Sequence, residues 1–327
     1  MPAQTDSRSA TSALYDLRYT DDYMDTDAYA LWGHGNGRTQ RVVETLRTVG
    51  VTPQSVLDYG CGVGAWLGVL SRTFPNSKVH GVDISSVAIG KAKKKYPDYR
   101  LEDFDGSLMP FGDELFDLVF SYHVLEHVDD IEASIRDIAR VTRPGGHAVI
   151  IFPCGNPGSF LDRTMNLIRD SRLPTTDGRT VLFFERADGH VRRMTSADTT
   201  EIFRRNGLDS TAQFFSGHFF GTVDWLCRGT GPAYINMVFN GQPAIGHAAR
   251  LRLQLTRRLL VGVHRLIRMK SLDLDRKRNP AKQAAAMFAK RLAVATDWLL
   301  DTLTAVEWRL RKRDRRGTAQ YLVFRKP

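Results

Sequence analysis

Asp58, Gly60, Gly62, Gly64 and Asp83 are the residues whose types and spacing most restrict what this chain can do. The apolar run Val56-Leu57 ends at Asp58, and Tyr59-Gly60-Cys61-Gly62-Val63-Gly64 follows, with glycine at every second position. Glycine serves where a backbone must turn sharply or let a ligand come close, because it has no Cβ. A strand is therefore expected to stop here, and a tight loop to open into a helix starting near Ala65. Further on, a second apolar run, Val79 to Val82, ends at Asp83. A carboxylate at the tip of the second strand is the usual clamp for a ribose diol in nucleotide-binding α/β folds. The spacing G-x-G-x-G departs from the G-x-G-x-x-G of dinucleotide sites, whose third glycine serves helix packing.

Three further pieces follow in order: Gly81-Val82-Asp83-Ile84-Ser85; Asp105-Gly106-Ser107-Leu108-Met109-Pro110-Phe111 with Phe116-Asp117-Leu118-Val119-Phe120; and Val124-Leu125-Glu126-His127-Val128 with Arg143-Pro144-Gly145-Gly146. Together with the glycine loop they run from Ser55 to Pro153. The set resembles the class I S-adenosylmethionine (SAM) dependent methyltransferases. The likeness is nearest to the branch that holds the quinone-biosynthesis enzymes and many methyltransferases of lipids, sugars and secondary metabolites.

This resemblance implies S-adenosyl-L-methionine as cofactor. It places the amides of the Gly60, Gly62 and Gly64 loop against the amino-acid end of SAM and Asp58 near the methionine moiety. It puts Asp83 on both ribose hydroxyls, Ile84 on the adenine ring and Asp105 on the adenine amine, with Asp103 and Glu102 competing for that last role. Tyr15, Tyr19, Tyr23 and Trp32 either close over the sulfonium, which favours aromatic faces, or pack the N-terminal helix onto the sheet.

Methyl transfer from a sulfonium is an in-line displacement from an activated donor, so the protein supplies mainly positioning and desolvation. The acceptor must lose a proton, and His123, Glu126, His127 and His190 are the candidate bases. The first three stand at i, i+3 and i+4, which on a helix would share one side. In the quinone O-methyltransferases the matching triplet is two glutamates and a histidine and can hold a divalent metal. Here His123 replaces the first glutamate, and no metal is assigned.

The chain of 327 residues is 42% hydrophobic and 25% charged, an ordinary globular composition with room for one α/β core and one extra subdomain. Cys61, Cys154 and Cys227 have neither pairing nor metal spacing and fit a reducing cytoplasm. Residues 1–13 are polar and small and are expected to be disordered. No apolar run reaches the roughly 18 residues of a spanning helix.

Strands are expected at 55–59, 79–83, 99–101, 116–121, 147–153, 210–215 and 319–324. Helices are expected at 38–49, 63–73, 85–95, 130–141 and 196–206. Alternation of this kind specifies a doubly wound, mostly parallel, seven-stranded Rossmann-like sheet, with functional groups at the strands' C-terminal ends. A loop from Pro153 to Gly189, with an embedded helix near Phe160 to Arg169, precedes Gly189-His190-Val191-Arg192-Arg193.

The methyltransferase domain is thus expected over 14–216 plus 317–327, interrupted by a helical insertion at 217–316 before the last strand. Residues 250–316 hold nineteen Lys and Arg against six Asp and Glu, which is +13 of a total of +10 and leaves −3 for the rest. Two amphipathic helices are expected there. One, from Ala248 to Met269, has Leu251, Leu255, Leu259, Val263, Leu266 and Ile267 on one stripe. The other, from Ala281 to Arg313, has Phe288, Leu292, Leu299, Leu303, Val306 and Leu310, and Arg276-Lys277-Arg278-Asn279-Pro280 breaks the pair.

The insertion reads as a membrane-surface element for an anionic leaflet, a nucleic-acid arm, or a lid or dimer face. Nucleic acid is disfavoured because no RNA-binding module is recognisable. The reading as a whole is a cytoplasmic methyltransferase, peripheral at the inner membrane in the membrane case. Its acceptor is a hydroxyl or activated carbon of a small or lipid-like molecule. An RNA or protein methyltransferase and a catalytically silent SAM-binding regulator are the alternatives. The sequence specifies no oligomeric state.

Overall fold

A computed structural model describes residues 4–20, 37–239, 246–271 and 280–327. Seven strands form one sheet: β1 (Ser55–Tyr59), β2 (Lys78–Asp83), β3 (Arg100–Asp103), β4 (Phe116–Tyr122), β5 (Thr142–Pro153), β8 (Asp209–Ser216) and β9 (Ala319–Arg325), in the order β3-β2-β1-β4-β5-β9-β8. Strands β1 to β5 pair in parallel, and β9 runs antiparallel to both β5 and β8. A separate hairpin joins β6 (Arg172–Pro174) to β7 (Thr180–Leu182). The chain winds outward from β1 to β3 and then returns to lay β4 against β1. That reversal places the ends of β1 and β4 side by side, where open α/β sheets bind ligands.

The helices are α1 (Gln4–Thr20), α2 (Gly37–Arg47), α3 (Leu67–Thr73), α4 (Ser86–Lys95), α5 (Ile131–Val141), α6 (Phe160–Met165), α7 (Phe183–Ala187), α8 (Ser196–Arg205), α9 (Phe220–Asp224), α10 (Pro232–Phe239), α11 (Gly246–Arg268) and α12 (Pro280–Arg311). Side chains start several of them locally. Ser85 accepts from the Ala88 N–H at 3.1 Å and Asp130 from the Ala133 N–H at 2.9 Å, each satisfying an orphan donor of a first turn. Gly207, at φ 80°, follows α8, in the left-handed region where glycine is unstrained.

The strand faces build two cores. Val56, Leu118, Phe120 and Val149 pack with α2 and α3, and Leu57, Val119, Ile150 and Phe324 pack with α5 and α8. A third core joins α6 and α7 to the insertion: Leu161, Met165 and Phe184 pack with Leu226, Ile235, Leu253, Leu260 and Leu300. The 153–189 segment and the insertion therefore share apolar contacts. No helix among the described residues is long and apolar enough to cross a membrane.

Several expectations need correction. Helix α3 starts at Leu67 rather than near Ala65, because Gly60, Gly62 and Gly64 all take positive φ and the loop keeps turning. Strand β5 begins at Thr142, since Gly145 and Gly146 pair with Lys326 instead of forming a free turn. The first 20 residues include a helix where a disordered stretch through residue 13 was expected. It is tied down by the Ser12 hydroxyl donating to the Ile84 carbonyl at 3.0 Å and by the Ser85 hydroxyl donating to Asp16 at 2.5 Å.

The apolar stripes of α11 and α12 are also turned around. Leu251, Leu255 and Leu259 are exposed, as are Phe288, Leu292, Leu299, Val306 and Leu310. The helices bury mainly a different side, through Leu253 and Leu260, with Ile267 of the expected stripe, and through Ala293, Leu300 and Trp308. Each helix has apolar residues on two faces, and only packing decides which is covered. Tyr23, Trp32 and most of the Arg276–Pro280 break lie outside the described residues.

Candidate active site

A cavity of about 1450 Å³ opens at the sheet's C-terminal edge. Tyr59, Gly60, Cys61, Gly62, Asp83 and Ile84 line one side, and Tyr122, His123, His127 and His190 line another. The insertion closes a third side with Trp225, Tyr234 and His264. The volume exceeds that of a typical single-ligand pocket, roughly 300–1,000 Å³.

Gly62 carries φ 52°, and a Cβ there would lie 2.5 Å from the Tyr19 hydroxyl. Helix α1 thus rests on the glycine loop. Gly64 has a different duty: it does not line the cavity, and a Cβ on it would strike the Tyr96 ring at 2.8 Å. Cys61 packs on Gly81, and burial holds its thiol well above the ordinary range, so it is an inert filler of the loop.

Asp83 is buried, with Oδ2 accepting from the Gly62 N–H at 2.8 Å and Oδ1 from the Ser85 N–H at 2.9 Å. Burial raises its pKa to about 6 against the pull of those amides. Asp58 lies beneath the loop rather than on the cavity wall. Its Oδ2 is buried without a hydrogen-bond partner, and burial, with Asp83 nearby, holds the carboxyl well above the usual range.

Asp105 is not brought to the cavity. It sits exposed in the turn after β3, accepting from the Ser107 N–H at 2.9 Å, while its neighbours Phe104 and Gly106 line the wall. Asp103 is also exposed and off the wall.

The expected first helical turns around His123 are irregular, since α5 starts only at Ile131. His123 takes a left-handed φ of 56°, and its Nδ1 lies 2.8 Å from Glu126 Oε1. Glu126 is buried. Burial would raise it, but the charge and hydrogen bond of His123, with His127 and His190 behind, hold it down at about 2. It is therefore ionised at neutral pH.

His127 Nδ1 lies 3.1 Å from the Gly189 carbonyl, which fixes the ring with Nδ1 as the protonated nitrogen. His190 stands edge-on to it, with centroids 4.7 Å apart at 89°. His190 Nδ1 is buried without a partner, and burial lowers the ring's pKa to about 3. Ligand atoms of Glu126, His127 and His190 lie within 4.8 Å of one another, whereas His123 meets this group only through Glu126. A carboxylate and two neutral imidazoles are also a donor set for a zinc-like cation.

Residues that the sequence reading missed hold His190 in place. The Glu185–Arg193 pair is buried at 2.5 Å, Arg193 also donates to the Cys154 carbonyl at 2.6 Å, and the Val191 N–H donates to the Glu126 carbonyl at 2.9 Å. Nothing in the spacing singled out Glu185, because its partner is fixed only when the 183–195 loop folds back on itself. Tyr122 and Trp66, with centroids 4.6 Å apart on the cavity wall, gave no signal either, since both read as core aromatics.

Compared with known proteins, residues 57–150 match the family model described as a methyltransferase domain. The chain carries a methyltransferase domain.

The chain is 33% identical over 109 residues to a malonyl-[acyl-carrier protein] O-methyltransferase of Halorhodospira halophila, covering 32% of this chain and 37% of that protein. It is 25% identical over 221 residues to a demethylmenaquinone methyltransferase of Chlorobaculum parvum, covering 65% and 89%. The first of these alignments thus spans little more than a third of the relative. A solved [4+2]-cyclase structure matches at 16% identity with a TM-score of 0.48, over 88% of this chain and 81% of that one.

The residues present fit the S-adenosylmethionine that the sequence resemblance implies. Gly60 and Gly62 line the cavity with backbone, with the Val124 and Tyr19 side chains standing where their Cβ atoms would be, Asp83 offers a buried carboxylate at the cavity, and Asp58 keeps an orphaned oxygen under the loop.

Proposed function

We propose that the protein transfers a methyl group to a hydroxyl or activated carbon of a small or lipid-like acceptor. The observation that carries this reading is the meeting of two groups at one cavity: Asp83 with the glycine loop on one wall, and His127 with His190 on another. When bound, S-adenosylmethionine supplies an activated methyl group. The roles of the chain's own residues follow from their geometry.

Asp83 accepts from the two ribose hydroxyls with the lone pairs left over from the Gly62 and Ser85 amides. Gly60 and Gly62 present backbone to the amino-acid end, and Asp58 faces its ammonium from below. Ile84 lies against the adenine, with the Phe104–Gly106 backbone as the rim that Asp105 was expected to provide. Tyr15 and Tyr19 cover the opening from α1 and exclude water.

At the acceptor, His190 takes the proton released from the O–H or acidic C–H. Its lowered pKa keeps it neutral near pH 7, with a free lone pair. His127 packs edge-on against it, and ionised Glu126 stabilises the imidazolium formed in the same step. The apolar and aromatic wall given by Phe184, Trp225 and Tyr234 favours an acceptor with a large apolar body. The relatives named for demethylmenaquinone and malonyl-acyl-carrier-protein methylation support acceptors of that character.

The test uses methyl-labelled SAM with a panel of hydroxylated quinone precursors, acyl thioester acids and lipid extracts. Label should enter an apolar acceptor with the parent protein and be lost with His190→Ala while SAM still binds. SAM binding with no transfer to any extract would favour a silent SAM-binding regulator.

A further inference from the structure

We infer that the outward face of α11 is a docking surface for an anionic lipid leaflet. The inference rests on the reading of a lipid-like acceptor and adds the surface from which that acceptor is reached. Helix α11 carries six arginines and no acidic residue. Burial of Leu253, Leu260 and Ile267 in the third core fixes which way it faces.

At about 100° per residue the opposite side is a ridge of Leu251, Leu255 and Leu259, which are 48%, 55% and 66% exposed. Arg258 and Arg265 flank the ridge on one side and Arg252 on the other, all three exposed. An apolar ridge between arginines matches a helix lying in the headgroup boundary. There the leucines enter the acyl layer while the guanidinium groups stay with the phosphates.

Charge decides among occupants. A second copy of this face would set the three arginines that flank the ridge against three, at a repulsive cost. A nucleic-acid backbone would satisfy the arginines and leave three leucines uncovered at the centre of the contact. An anionic leaflet satisfies both. The same helix carries His264 and Arg268 on the cavity wall, so a leaflet on its outer face lies about 10 Å, one helix diameter, from the cavity.

The experiment is flotation of the full chain with phosphatidylcholine vesicles, with and without phosphatidylglycerol, at rising salt. The parent should float with the anionic vesicles only, and less as salt rises. Leu251→Gln/Leu255→Gln/Leu259→Gln should lower partitioning about tenfold or more, and Arg252→Gln/Arg258→Gln/Arg265→Gln should abolish the preference for phosphatidylglycerol. Both variants change exposed residues and should melt with the parent. Should either unfold, the parent's own lipid and salt dependence still decides.

Equal binding to neutral vesicles, or full flotation of the leucine variant, overturns the proposal. So does salt-sensitive retention on polyuridylate without flotation, or a parent dimer that the leucine variant dissolves. SAM titration is the separate readout: a parent that floats but binds no SAM refutes the methyl-donor reading and leaves the surface standing.

Discussion

Gly62 donates its backbone N–H to Asp83 Oδ2 at 2.8 Å, tying the loop after β1 to the tip of β2. Two motifs about twenty residues apart thus form one unit. Asp83→Asn replaces an acceptor oxygen by a donor and loosens that tie. SAM affinity should fall about a hundredfold, measured by calorimetric titration. Unchanged affinity would remove Asp83 from the cofactor site.

The same carboxyl predicts a pH dependence. Its folded pKa of about 6 lies above the ordinary 3.8, so between those values the folded protein holds a proton that the unfolded chain has released. Asp83 therefore costs stability progressively as pH rises from about 3.8 to about 6, and in full above that, and it can accept from two hydroxyls only when that proton has left. SAM affinity should drop as pH falls below about 6, approaching about tenfold per unit. Titrations across this window should be flat in Asp83→Asn; an equally steep variant profile would point to Asp58 instead.

Gly62 and Gly64 should fail differently. Alanine at either meets a positive φ, at a cost of about 1–2 kcal/mol. Gly64→Ala also strikes Tyr96 and should show mainly as a lower melting temperature. Gly62→Ala meets the Tyr19 hydroxyl and should displace α1, which stopped-flow would read as faster SAM release.

His190→Ala should lower turnover about 10²–10⁴-fold with SAM affinity retained. With a pKa of about 3, His190 stays neutral through the mildly acidic range, so it should not impose a rate loss near pH 6. If His190→Ala and His127→Ala both leave turnover intact, the proton goes elsewhere.

Breaking the buried Glu185–Arg193 pair with Arg193→Met should cost about 3–5 kcal/mol in urea unfolding, because the carboxylate is left uncompensated. Adding Glu185→Leu should recover part of that loss. A strictly additive double variant would mean that the two groups are not coupled.

Much of the glycine-loop side of the cavity was legible from the chain alone. Strand ends, the glycine loop and Asp83 are short-range features, and each is written in fewer than ten consecutive residues. Asp105 shows the limit: its turn was located, but the side chain bonds back to Ser107 while the adjacent backbone lines the cavity. His190 was named from a motif, yet its neighbour His127 is 63 positions earlier, and no periodicity links loops across that distance.

The sequence by itself determined the alternation of strands and helices, the doubly wound class and the strand ends that line the cavity, because periodicity and glycine placement act locally. Only the tertiary structure decided which face of α11 is buried, that Glu126, His127 and His190 converge, and that Tyr19 caps Gly62. Those facts depend on packing between distant segments. A helix with apolar residues on two sides carries no local mark of the one that will be covered.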